Sequence, residues 1–280
     1  MILEICRNPW NGGVRECLGK VMKISKAIEI ATEALRRHYF LFMSLSEEGR
    51  PDCIGSGTYV LLNSKHYILT AAYVIEELLK IQKSNSFIGD TGVRRISWSI
   101  ACLLEGGRET FGKFVCSGDG GTFKHISQYF DVGILPLSLS VVKHYADLGF
   151  YPYNLGTRKD RTFLGDGILF VTGTSNYKLQ VDEEKREHKS QSKVIQVLGD
   201  QETGNICRTD RNKERVTFSV FNDEKNPIED YGAFSGGGLW KISMEDNTAS
   251  LVGVIVEAIS SWSLITCYVP DSLHEAISIL

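Results

Sequence analysis

A chain of 280 residues with 42% hydrophobic and 23% charged residues has the make-up of an ordinary globular protein, large enough for one big domain or two small ones. Its formal net charge of −3 lacks the basic field on which nucleic-acid binders rely. The longest apolar run, Leu251 to Val256, falls far short of the roughly 20 residues a membrane-crossing helix needs. Near the start, Glu4 and Arg7 interrupt the apolar stretch that a secretory signal would require. Cys6, Cys17, Cys53, Cys102, Cys116, Cys207 and Cys267 are odd in number and scattered, with no C-x-x-C pair. The expectation is a cytoplasmic protein with free thiols, no metal, no cofactor, no nucleic acid and no membrane partner.

The first predicted element is an amphipathic helix. From Leu18 to Leu35 the residues Leu18, Val21, Ile24, Ile28, Ala31 and Leu35 recur every three or four positions, with Lys20, Lys23, Lys26 and Glu33 between them. This helix is read as packing on the outside of the body rather than as docking a partner. After His38 the pattern changes to short runs rich in aromatic and branched residues. Strands are predicted at Tyr39–Leu45, Thr58–Leu62, His66–Leu69, Ile96–Leu104, Thr110–Ser117, Val132–Leu137, Ile168–Thr172, Lys193–Leu198, Val216–Phe221, Ser250–Glu257 and Ile265–Val269. Glu47 to Pro51 and Asn63-Ser64-Lys65 supply turns. A last helix is predicted over Ser272 to Ile279. Two charged runs, Asp182 to Lys193 and Arg208 to Arg215, flank strands and are read as solvated hairpins; exposed platforms for a partner are the alternative. Many short strands at fairly even spacing point to an all-β sandwich or barrels.

Three stretches carry possible chemistry: Leu69-Thr70-Ala71-Ala72-Tyr73-Val74, Asp131-Val132-Gly133-Ile134-Leu135, and Phe234-Ser235-Gly236-Gly237-Gly238. With Gly55-Ser56-Gly57-Thr58, Ile168 to Gly173 and Leu251 to Ile255, and in this order, they resemble the trypsin-like (chymotrypsin-fold) serine peptidases over residues 38–280. The disulfide-free bacterial branch is the most similar. The resemblance implies two antiparallel six-stranded β-barrels with a site in the cleft between them. It divides the chain into a helical extension at 1–37, a first barrel at 38–150 and a second at 151–280.

In that family the first stretch reads L-T-A-A-H-V, and its histidine takes the proton of the serine. Here the position holds Tyr73. The hydroxyl of Ser235 is a poor nucleophile until a base with a pKa near working pH removes its proton. Imidazole, at about 6.5, serves; a phenol near about 10 is ionised in only roughly one molecule in a thousand at pH 7. Tyr73 is expected to donate its O–H to Asp131, whose charge disfavours a second anion beside it. Loss of a triad histidine lowers turnover by on the order of a million-fold. The resemblance assigns an oxyanion hole to the backbone N–H groups of Ser235 and Ala233. Glycine is usual at the latter position, and alanine resists positive φ. Phe234 replaces the aspartate or asparagine that precedes the serine in many relatives. Other possible bases are His38, His66, His125, His144, His188 and His274, each more simply read as a surface or core residue. Glu229 falls where the family sets primary specificity.

The function expected is therefore that of a pseudoprotease: a degenerate triad of Tyr73, Asp131 and Ser235 on a scaffold retained for binding protein partners. The resemblance extends by association to components of prokaryotic stress or antiviral-defence systems. The alternatives are an active endopeptidase with an unorthodox base, or one inactivated by a histidine-to-tyrosine substitution.

Overall fold

Residues 39–45 and 51–62 form strands β1 (Tyr39–Leu45) and β2 (Pro51–Leu62), paired antiparallel with an irregularity at Phe42/Met43. The computed structural model describes residues 25–34, 37–45, 51–85, 101–103, 109–111, 126–127, 131–137, 139–147, 149–157, 167–174, 180–182, 187–189, 192–198, 207–208, 215–220, 234–259, 264–270 and 277. β2 turns into β3 (Lys65–Ala71) through Asn63 and Ser64, with Leu62 opposite Lys65. Both turn residues have positive φ, 49° and 62°, as a two-residue hairpin loop demands. β7 (Val132–Pro136) pairs with β3, β6 (Ile126–Ser127) with β7, and β8 (Tyr153–Asn154) lies parallel to β2.

The second sheet runs in the order β12 (Ser192–Leu198), β9 (Ile168–Thr174), β15 (Gly238–Ser243), β16 (Thr248–Ile259), β17 (Leu264–Tyr268), β14 (Arg215–Val220) and β13 (Cys207–Arg208), all antiparallel. β12 also pairs with β14 through Val197↔Val220 and Leu198↔Ser219, so the hydrogen-bonded path returns to its first strand. Two small two-stranded sheets also lie among the described residues: β4 (Ala101–Leu103) with β5 (Glu109–Phe111), and β10 (Gln180–Asp182) with β11 (Glu187–Lys189). The protein is thus mostly β, built from antiparallel sheets with few helices.

The predicted strands overlap observed ones wherever residues are described, with Leu137 and Val269 falling just past the ends of β7 and β17. The hairpin reading of the two charged runs also agrees with the pairing of β10 with β11 and of β13 with β14. Among the described residues three longer helices accompany the sheets. Helix α1 occupies residues 25–34; the part of the predicted helix before residue 25 lies outside the described residues, and of the C-terminal one only Ile277 is described, in helical conformation. Helices α2 (Ala72–Asn85) and α3 (Leu139–Asp147) depart from the strand-like pattern around them. Each begins where a strand ends, and each buries an apolar stripe: Val74, Ile75 and Leu78 in α2, Val141 and Tyr145 in α3.

Burial divides the interior into three clusters. One belongs to the first sheet with α2 and α3, around Phe40, Phe42, Tyr59, Ile68, Val74 and Tyr145. Another belongs to the second sheet, around Val171, Phe218, Phe234, Leu239, Ile255 and Ile265. The third joins them: Val60 and Leu69 of the first sheet meet Phe170, Trp240, Val254 and Tyr268 of the second. Ala27, Ala31 and Ala34 of α1 pack into this shared cluster. Their spacing puts them on one face, and their small side chains let the helix backbone lie close to the strands. β16 borders two clusters, with Leu251 and Val254 in the shared one and Val252 and Ile255 in the other. Burial on both faces explains the unbroken apolar run that the sequence carries there.

His38 sits half-buried at this junction. Its ring stacks on Trp240 at 5.6 Å, takes the edge of Tyr153 at 5.6 Å, and donates from Nδ1 to the Tyr151 carbonyl at 2.6 Å. Desolvation lowers its pKa to about 4, with the Arg37 charge acting in the same sense and the Tyr151 bond and Glu33 acting against it. Between about pH 4 and 6.5 the unfolded chain binds a proton here that the folded one refuses, so this contribution is full above 6.5 and is lost as pH falls toward 4. Urea titrations at pH 7.5 and 4.5 are expected to differ by about 2–3 kcal/mol more in the natural protein than in His38→Gln. Equal differences would refute the assignment.

Candidate functional site

The turn Phe234-Ser235-Gly236-Gly237 precedes β15 and is pinned from three sides. It closes on itself through the Gly237 N–H to the Phe234 carbonyl, 2.8 Å. It joins β16 through Gly236 N–H to Ile255 O, 2.7 Å, and Ile255 N–H to Gly237 O, 2.8 Å. It joins β2 of the other sheet through Ser56 N–H to Ser235 O, 2.8 Å. The Ser56 carbonyl in turn accepts from Thr70 Oγ1 at 2.7 Å. Gly236 takes φ +87°, which favours glycine, and a Cβ there would collide with Ser56 O and Thr70 Oγ1. The sequence therefore allows this turn only with glycine at that point.

Phe234 departs from the polar residue expected before the serine, and the structure gives it another task. Its side chain is fully buried and lies where a Cβ on Gly173 would strike the ring, 2.6 Å from Cγ. An apolar anchor packed on the glycine of β9 holds the turn in place of a polar one. Ser235 itself is 7% exposed.

The first stretch meets this turn directly. Thr70 and Ala71 close β3 against Gly236, and Ala72 opens α2. Val74 is buried against Gly55, whose missing side chain leaves room for Val74 Cγ2 and the Ser235 carbonyl, 2.5 Å and 3.1 Å from the ideal Cβ position. Tyr73 between them points outward and is 49% exposed. Its phenol is within electrostatic reach of Lys80, which sits above its usual pKa through its bond to Glu77 first, then the charges of Glu77, Glu76 and Tyr73.

Asp131 joins through its backbone and its side chain. It adopts φ +60° just before β7, and its carbonyl accepts the Ala72 N–H at 2.9 Å, the first turn of α2. Its carboxylate faces Arg215 at the start of β14, with Oδ2 3.5 Å from one guanidinium nitrogen. The pair is partly buried, the two side chains 36% and 28% exposed. Among the described residues, the hydroxyls of Tyr73 and Ser235 make no side-chain hydrogen bond, and Arg215 is the partner of the Asp131 carboxylate. The expected phenol-to-carboxylate bond is not formed, and the Arg215 guanidinium stands at that carboxylate instead.

The three stretches picked out in the sequence are thus brought together, but the chain of bonds from acid through base to serine is not. Ala233, Glu229, His125 and His274 lie outside the described residues, as do the side chains of His144 and His188. His66 is engaged on the first sheet by the Tyr59 hydroxyl at 2.6 Å, and His38 by Tyr151 and Trp240. Neither is joined to the serine turn. Tyr59 is pushed up to about 12 by desolvation, so its phenol stays protonated. Arg215 is the residue that reading the sequence missed. The signal was present in the charged run Arg208 to Arg215, whose last arginine opens the apolar strand Val216 to Val220.

A cavity of about 780 Å³ lies elsewhere, between α1, His38, Tyr153 and the β15–β16 turn. Its lining charges are already matched, Lys26 with Glu29 at 3.0 Å and Arg37 with Glu33 at 2.7 Å. No protein-family model matches this chain, and no curated protein matches it either.

Proposed function

We propose that the protein is a catalytically impaired serine-protease homologue that binds an extended segment of a protein partner. The observation that carries this reading is the Asp131 carboxylate facing Arg215 while Tyr73 stands outside any acid–base–serine chain. A serine without a base attached is a poor nucleophile. The double-barrel architecture is part of the same reading. It is supported by the return of the second sheet's path to β12 and by the seating of the serine turn between the two sheets.

The binding half rests on β16. Its ladder with β15 ends at Gly238↔Val254, whereas its ladder with β17 continues through Glu257↔Thr266 to Ile259↔Leu264. Among the described residues, the edge of β16 from Val256 to Ile259 has no strand on its other side, and it starts next to the turn that carries Ser235. An unpaired edge of this kind accepts an added strand through main-chain hydrogen bonds. A prokaryotic stress or antiviral-defence setting, in the cytoplasm and with other proteins, is the context the resemblance suggests.

A serine-directed fluorophosphonate probe tests the first half. No labelling of Ser235 above that of Ser235→Ala is expected, and no peptide cleavage. An array of extended peptides tests the second: Ser235→Ala is expected to bind the same peptides as the natural protein, uncut. Strong labelling and cleavage that disappear in Ser235→Ala would overturn the reading in favour of an active endopeptidase.

A further inference from the structure

We infer that Arg215 is a positioning residue that takes the Asp131 carboxylate out of service, so that replacing Tyr73 by histidine does not by itself restore the site. The inference rests on the reading given above and adds a second, independent lesion to it.

The geometry has three parts. Asp131 is held at both ends: its backbone is fixed at φ +60° by the bond to the Ala72 N–H, which confines the directions its short side chain can take. That same bond places the start of α2 beside Asp131, one residue before position 73, and the proposed reading makes this carboxylate the partner of a base placed there. Arg215 arrives from the opposite sheet, on the first residue of β14, where it pairs across the ladder with Tyr268 of β17. Among the described residues its buried Nε meets no acceptor. A guanidinium with one donor left unmatched inside the protein is an arrangement that folding alone does not favour. The return for that cost is the cation at Asp131.

Electrostatically, the consequence is direct. A carboxylate next to an imidazole raises the imidazole's proton affinity and stabilises the imidazolium that forms when it takes a proton from serine. A guanidinium 3.5 Å from the same carboxylate opposes that field and competes for the oxygen that would orient the ring. The charge of Arg215 is permanent, so raising the pH does not remove it from the carboxylate.

The test is a set of variants on the full chain: Tyr73→His alone, and combined with Arg215→Gln, Arg215→Met or Arg215→Lys. Two readouts are taken, the titration of the introduced imidazole by NMR and the rate of fluorophosphonate labelling at Ser235. The imidazole is expected to titrate at least about one pH unit higher with Arg215→Gln or Arg215→Met than with Tyr73→His alone. With Arg215→Lys, which keeps the charge, it is expected to stay close to Tyr73→His alone. Labelling is expected to rise roughly tenfold or more only in the neutral combinations. Either neutral substitution suffices, so one that fails to fold leaves the other to decide. If Tyr73→His alone titrates and labels like the neutral combinations, Arg215 is not the obstacle and the inference falls. If the titrations separate but no variant labels, Arg215 acts as inferred, and the serine-hydrolase reading of the site is the part that fails.

Discussion

Replacing Gly236 by alanine is expected to lower the stability of the protein by about 4 kcal/mol, a large share of the roughly 5–15 kcal/mol that an ordinary domain has. Two effects add. At φ +87° an alanine carries roughly 1 kcal/mol of backbone strain. The larger effect is steric, because the new Cβ would fall on the Ser56 carbonyl and on Thr70 Oγ1. Neither neighbour is free to move. The Ser56 carbonyl accepts from Thr70, and the Ser56 N–H donates to Ser235 O, so relief requires parting the two sheets at the turn. Gly149 provides the control: it has nearly the same φ, +83°, with nothing within 4 Å of the ideal Cβ. Gly149→Ala is expected to cost only about 1 kcal/mol. Urea denaturation of both variants separates backbone strain from collision, and equal losses would show that the close approach at Gly236 is unimportant.

Truncating Trp240 to alanine is expected to cost about 3–5 kcal/mol, the range for deleting a large buried aromatic. Trp240 is 1% exposed and sits in the cluster shared by both sheets and α1. Its Nε1 donates to Thr172 Oγ1 at 3.1 Å, and its ring carries His38 on one side and the edge of Tyr153 at 5.4 Å. Removing it uncovers the face of His38 that Trp240 shields. The imidazole should then titrate closer to 6.5 than to its present value of about 4, and an NMR titration reads this independently of the unfolding curve. Trp240→Phe keeps most of the volume and loses the Thr172 bond, so about 1–2 kcal/mol is expected. A Trp240→Ala protein with unchanged stability and an unchanged His38 titration would mean that the shared cluster does not hold the sheets together.

Much of the strand architecture is legible from residue pattern, because period-two runs and turn residues are local signals. Tyr39–Leu45 is read to the residue, and Asn63-Ser64 announces its hairpin. Helices α2 and α3 are less legible. Ala72 to Asn85 continues without a break from a strand, and the only cue is the later spacing of Val74, Ile75 and Leu78. β15 is missed for a related reason. Gly238-Leu239-Trp240 reads as the end of a glycine turn, and only its ladders to β9 and β16 make it a strand.

Residue order alone establishes that this chain is mostly strand, that Ser235 sits in a glycine turn, and that position 73 holds a phenol. Those properties belong to single side chains and short runs. The folded arrangement was needed to show that Phe234 anchors the turn on Gly173, that Tyr73 faces outward, and that Arg215 meets Asp131 from the other sheet. Each of these joins residues distant in the chain, and a contact across two sheets leaves no mark on the local order of residues that could be read beforehand.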